Sequence, residues 1–178
     1  MTEETPVVEE AQTAEETPAV LAGDAVLAAL AGQFPAAVFE PAVGHDIARV
    51  SPETVVEFVE SARLAGFDMF LDLCAVDYLQ RRPARYEVVV NLVDPLRPAR
   101  LLVKVALEGP DPEMPSLTGV FPGANFYERE AYDLMGIVFT GHPELTRILL
   151  PEEWQGHPLR KDEPVGSVPV QFKEPDTR

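Results

Sequence analysis

Along residues 100–107 the chain alternates Leu101, Val103, Val105 and Leu107 with Arg100, Leu102, Lys104 and Ala106, the two-residue period of a half-buried strand. Two earlier stretches rich in β-branched and aliphatic residues, 67–76 and 86–93, predict two more strands, and the intervening residues 94–98 predict a hairpin loop between the second and third. An earlier strand near residues 47–50 brings the expected sheet to about four strands, mixed or antiparallel.

Helical periodicity flanks this sheet. Val55, Phe58, Val59 and Ala62 recur at i, i+3, i+4 and i+7, with Ser51 as expected N-cap, Pro52 at the first helical position and Gly66 to end the helix. A shorter Ala/Leu helix is predicted from an Asp24 cap to about Gln33, before Pro35. A third begins near Asn125, where Asn125 and Glu128 have the spacing of a capping pair. There Tyr127, Ala131, Leu134 and Met135 share one face, while Arg129 and Asp133 lie opposite, four residues apart, and are expected to pair. Beyond Met135, short apolar pieces separated by Gly, Pro and His predict an extended tail.

The expected fold is therefore α+β, with helices on one face of the sheet and an extended C-terminal tail. Its divisions are a disordered acidic tail over 1–22, the α+β domain over 23–136, and a C-terminal tail over 137–178 packed on the domain and on partners.

Hydrophobic residues at 46% and charged residues at 25% suffice for one buried core. The longest charge-free apolar stretch, between Asp24 and Glu40, is broken by Gly32, Gln33 and Pro35, so it is too short for a bilayer, which needs roughly 20 apolar residues. The glutamate pairs at the N-terminus, without a basic residue, exclude a secretory signal and a mitochondrial presequence, and imply a bacterial cytoplasmic protein. A net charge of −16 argues against nucleic acid as a partner.

Cys74 is the chain's one cysteine, so neither a conventional iron–sulfur cluster, with about four thiolates, nor an internal disulfide fits. It lies in an apolar run and is expected to be a small buried hydrophobe. The sequence contains no Gly-x-Gly, which removes the dinucleotide fingerprint and the Walker loop.

Several side chains invite functional readings. Glu128, Glu130 and Asp133 suggest a carboxylate hydrolase, but Glu128 and Glu130 point about 200° apart on a helix and are expected to serve the helix end and a partner's basic groups instead. His142 and His157 each precede a proline and are expected to shape turns through backbone hydrogen bonds, with no metal site. Trp154 reads as a packing anchor, and Arg147, Arg160 and Lys161 as contacts to carboxylates of a partner.

The stretch from Asn125 to Leu150 resembles the signature of the thirty-kilodalton (C-type) subunit family of proton-translocating NADH:quinone oxidoreductase (complex I), at Glu128, Arg129, Glu130, Asp133, Gly136, His142, Pro143, Arg147 and Leu149. Residues 156–162, with His157, Arg160 and Lys161, resemble its second block, and 72–77, 85–90 and 115–118 its weaker elements. The resemblance spans roughly residues 67–162. It implies a non-catalytic hydrophilic subunit that supports the peripheral arm, packed against the quinone-site subunit and near the cluster-bearing subunits. This chain would hold no cofactor, with FMN, iron–sulfur clusters and quinone in partner subunits, and it would meet the membrane only indirectly, on its cytoplasmic face. The signature residues would form the partner interface. The alternatives are the equivalent subunit of a membrane-bound [NiFe] hydrogenase or another complex-I-like quinone reductase and, in a different class, a freestanding cytoplasmic hydrolase.

Overall fold

The computed structural model describes residues 25–163, and the expectations for the acidic N-terminus, the Asp24 cap and the last fifteen residues lie outside them. The main sheet contains β1 (Val38–Ala42), β2 (His45–Val50), β3 (Met69–Asp77), β4 (Tyr86–Asp94) and β5 (Ala99–Leu107), in the order β1-β2-β5-β4-β3. Only the β2–β5 pair is parallel, so this is a mixed sheet. The β4–β5 hairpin forms where residues 94–98 predicted it, with Asp94 opposite Ala99.

The alternation in β5 has its expected consequence. Leu101, Val103, Val105 and Leu107 are buried on the same face as Val88, Val90 and Leu92 of β4 and Ala48 and Val50 of β2. Against that face packs α2 (Val55–Leu64) through Val55, Phe58, Val59 and Ala62, and Phe34, just after α1 (Ala25–Gln33), meets Phe58 edge-on with centroids 5.1 Å apart. The start of α2 differs from expectation. Ser51, Pro52 and Glu53 form a separate turn closed by the Thr54 N–H to the Ser51 carbonyl, so Thr54, not Ser51, occupies the cap. Its end is as expected: Gly66 at φ 114° and the reciprocal bonds Phe67 N–H to Ala62 O and Gly66 N–H to Arg63 O make a Schellman stop.

After β5, a two-stranded parallel ladder pairs β6 (Glu113–Pro115) with β7 (Val138–Thr140), and between them runs α3 (Ala124–Met135), packed on β3. Asn125 does not cap α3. A turn over residues 121–124 leads straight into the helix, Gly123 takes the cap without a side-chain bond, and Asn125 falls inside the first turn. Cys74 is also corrected: it sits on the side of edge strand β3 facing away from the core and is exposed. Burial of part of its surface and the nearby Asp72 and Glu130 carboxylates raise its thiol pKa, which disfavours the reactive thiolate. No helix among the described residues is long and apolar enough to cross a membrane.

Candidate functional site: the strap that closes helix α3

The residues buried along α3 are Ala124, Glu128, Ala131 and Asp133, two of them carboxylates with 0% exposure. A buried carboxylate is tolerated when donors replace its lost water. Glu128 accepts from the Ser116 hydroxyl at 2.6 Å and the Leu117 N–H at 2.7 Å, which ties α3 to the loop after β6. Its pKa is raised by burial, which those two donors oppose. Glu128 therefore neither caps the helix nor faces outward, because its side chain completes the loop beside it.

Asp133 does not pair with Arg129. Its Oδ1 receives the Arg147 guanidinium at 2.6 Å, and its Oδ2 receives the consecutive N–H groups of Ile148, Leu149 and Leu150 at 3.0, 2.8 and 2.9 Å. Burial alone would raise this carboxyl, but those donors outweigh it and hold it below the usual carboxylate range. Arg129 turns instead to Thr146, bonding its carbonyl and hydroxyl at 3.1 Å each, and to the Arg147 carbonyl at 3.1 Å. The predicted i,i+4 pair fails because residues 146–150 fold back over both partners and offer each a better one.

A helix leaves its last carbonyls without partners, at the negative end of its dipole. In α3 they are met from far along the chain, by a strap formed of residues 146–161. The Asp133 carbonyl receives Arg147 Nη1 and His157 Nδ1, each at 3.0 Å; the Leu134 carbonyl receives the Leu159 N–H at 3.0 Å; and the Met135 and Gly136 carbonyls receive Arg160 Nε and Nη2 at 2.7 and 3.4 Å. Gly136 turns the chain at φ 71°, and a Cβ there would lie 2.6 Å from Arg160 and His157 atoms, so the strap seats only over glycine.

The strap is fixed at its far end by Asp77. This carboxylate, 1% exposed, holds Arg85 at 2.9 Å and accepts the N–H groups of Leu79 and Lys161 at 2.7 and 2.9 Å, while Arg85 also reaches Asp162 at 2.6 Å. The donors overcome the burial penalty and take the Asp77 pKa down to about 2.

His142 behaves as expected for a turn: its Nδ1 accepts the Glu144 N–H at 3.0 Å, and its Nε2 is buried with no hydrogen-bond partner among the described residues. Pro143 beside it and Lys161 are exposed. Glu130 is exposed on α3 and shares a shallow cleft with Cys74, Tyr127 and Leu159. Glu128, Glu130 and Asp133 thus face three different surroundings, which leaves no shared cleft for a two-carboxylate hydrolysis. No group of three or more His, Cys, Asp or Glu side chains suited to a metal ion occurs among the described residues. With the polar groups of the strap turned inward, its apolar residues face out: Ile148 is 37%, Leu149 60% and Leu159 52% exposed.

The roles of Asp77, Arg85 and Ser116 are not visible in the sequence, since their partners lie up to 84 residues away with no local spacing to betray them.

The profile of a family described as "Respiratory-chain NADH dehydrogenase, 30 Kd subunit" matches residues 48–168. A relative from Roseiflexus sp. (strain RS-1), named as the C subunit of an NADH-quinone oxidoreductase, is 48% identical over 126 residues, covering 69% of this chain and 72% of that protein. Another from Rhizobium meliloti (strain 1021), also named as a C subunit of NADH-quinone oxidoreductase, is 50% identical over 119 residues, 66% of this chain and 58% of its own length. Among solved structures, the trypsin-resistant fragment (1-134) of Nqo5 superposes with a TM-score of 0.60 at 33% identity, covering 68% of this chain and 97% of that fragment. A chain of a membrane-bound sulfane sulfur reductase, an archaeal respiratory membrane complex, shares the fold at a TM-score of 0.71 and 22% identity, over 88% of this chain and 98% of that one.

Proposed function

The chain belongs to the 30 kDa subunit family of respiratory-chain NADH dehydrogenase, and from that premise we propose that it is the hydrophilic C subunit of an NADH:quinone oxidoreductase and acts there by association. In this reading the redox chemistry belongs to partner chains that hold FMN, iron–sulfur clusters and quinone. The chain's neighbours are the quinone-site and cluster-bearing subunits of the peripheral arm, on the cytoplasmic face of the membrane.

The observation that carries this reading is the inversion of polarity in the strap. Arg147 and Arg160 are spent on α3 and the Lys161 N–H on Asp77, within the chain, while Ile148, Leu149 and Leu159 stand exposed on a backbone fixed by Asp133 and the Leu134 carbonyl. Fixed, outward apolar side chains suit a binding surface, because little ordering is left to be done on docking. The signature thus serves the partner interface mainly by shaping it, and Arg147 and Arg160 contribute from inside.

The test compares two kinds of variant in membranes, reading complex abundance on native gels and quinone-reductase turnover per assembled complex. Leu149→Asp is expected to leave the melting of the isolated chain unchanged and lower the amount of complex. Arg160→Ala is expected to lower both. Turnover per assembled complex should stay within about twofold, or less than about half a kcal/mol. Normal abundance with collapsed turnover would place the chemistry in this chain and refute the proposal.

A further inference from the structure

A cleft of about 160 Å³ opens where edge strand β3 meets α3 and the strap, between Leu73 and Cys74 of β3, Tyr127, Leu134 and Met135 of α3, and Leu159. Its walls are apolar apart from one carboxylate, Glu130, which is exposed on α3. Phe126, Glu130 and Leu134 follow one another at i, i+4 and i+8 and so form a single stripe of the helix. Phe126 at one end of that stripe is exposed, as is Leu159 on the strap, so Glu130 is a lone charge within an apolar surface.

Among the described residues, the Glu130 carboxylate makes no ion pair and no hydrogen bond. The helix offers it no cation, since the positions three and four residues away are Phe126, Tyr127, Asp133 and Leu134. The nearby arginines are turned elsewhere: Arg129 to Thr146, Arg147 to Asp133, and Arg160 to the Met135 and Gly136 carbonyls. The field in the cleft is negative, because after burial it is the Asp72, Glu130 and Glu87 carboxylates that raise the Cys74 thiol pKa. Glu128, Asp133 and the three arginines of the signature thus find their partners within the chain, and Glu130 does not.

Size and chemistry together select an occupant. Sites for small molecules and cofactors run to about 300–1,000 Å³, so a cleft of about 160 Å³ suits one side chain. Apolar walls with one carboxylate match a side chain that has an apolar stem and a cationic head, as Arg and Lys do. We propose that this cleft is the socket for a basic side chain, Arg or Lys, of the neighbouring subunit that docks on the strap, with its stem against Tyr127, Leu134 and Leu159 and its head on Glu130. The inference rests on the reading of the chain as a subunit that acts by association, and adds to it the charge of the group received. Ile148 and Leu149 then supply apolar contact, and the Glu130 pair fixes the register of docking.

The test uses the assembled complex in membranes and the isolated full chain, with Glu130→Gln, Glu130→Arg and, for the surface of the strap, Leu149→Asp. Cys74 lines the cleft and reports whether it is filled: alkylation by N-ethylmaleimide, read by mass spectrometry of the Cys74 peptide, should be seen in the isolated chain and lost in the complex. As isolated chains both Glu130 variants should melt like the wild type, since this carboxylate supports nothing within the fold. In membranes, Glu130→Gln should lower the fraction of chain retained after a salt wash by about tenfold, and Glu130→Arg should abolish retention. Carbodiimide treatment of the wild-type complex separates the two heads: an amide crosslink from Glu130 to a partner amine identifies Lys, and no crosslink together with the loss in Glu130→Gln identifies Arg. Alkylation of Cys74 that persists in the complex, or full retention of Glu130→Gln, would overturn the socket. If Leu149→Asp still depletes the complex in that case, the reading by association stands; if Leu149→Asp is retained as well, that reading fails with it.

Discussion

Asp133 shows how much one buried carboxylate can organise. With four donors on its two oxygens it holds the turn at residues 147–150 in place, and removing its cation leaves it charged and under-ligated. Arg147→Ala is therefore expected to destabilise the isolated chain by about 3–5 kcal/mol in urea unfolding, the range for breaking a buried pair from one side. Glu128 differs because it faces no cation, only a hydroxyl and an N–H. A glutamine amide supplies an acceptor for Leu117 and a donor for Ser116, so Glu128→Gln should change stability by less than about 1 kcal/mol at neutral pH, and Glu128→Ala should cost about 2–3 kcal/mol. The two carboxylate environments also respond to acid with opposite signs. The Asp77 pKa falls from 3.8 unfolded to about 2 folded, so its contribution of about 2 kcal/mol is complete above pH 4 and lost as the pH drops through about 2. Glu128 has a raised pKa, so its charged form is a cost to folding that is relieved as the pH falls through the folded-state value. Urea midpoints measured between about pH 2 and 5 should show the Asp77 loss in the wild type and not in Asp77→Asn.

Among the elements, legibility follows locality. The β5 alternation, the β4–β5 hairpin and the Gly66 stop are each set by neighbours in the sequence, and each stands where the pattern predicts. β1, interrupted by Pro41, and the three-residue β6 and β7 are too short to carry a period, and they exist because β2 and each other pair with them. The capping of α3 is hidden for the same reason. Asn125 and Glu128 have the spacing of a capping pair, but the surrounding loop draws Glu128 inward, and the C-terminal cap comes from His157, Leu159 and Arg160, more than twenty residues on. Gly136 is legible as a signature residue, and its reason only in the fold. Gly136→Ala sets a left-handed backbone against an L side chain and a Cβ against His157 and Arg160. It should cost at least about 2 kcal/mol and expose Arg160 and Lys161 to trypsin, read as faster cleavage there under native conditions.

For the whole molecule, the described domain makes its own core, and the strap adds to it a surface that the core does not require. Deleting residues 1–22, which carry six glutamates and no aromatic residue, should leave quinone-reductase activity in membranes within about twofold, and loss of the assembled complex on this deletion would mark the segment as a docking element.

The bond between the Lys161 N–H and Asp77 joins positions 84 residues apart. At typical synthesis rates of about 5–20 residues per second, β3 emerges from the ribosome some 4–17 s before the residue that completes its buried carboxylate. During that interval Arg85, eight residues from Asp77, is the partner already made, and the carbonyls ending α3 still wait for His157 and Arg160. The donors that close this helix end and complete the Asp77 shell therefore become available last, when the strap is translated.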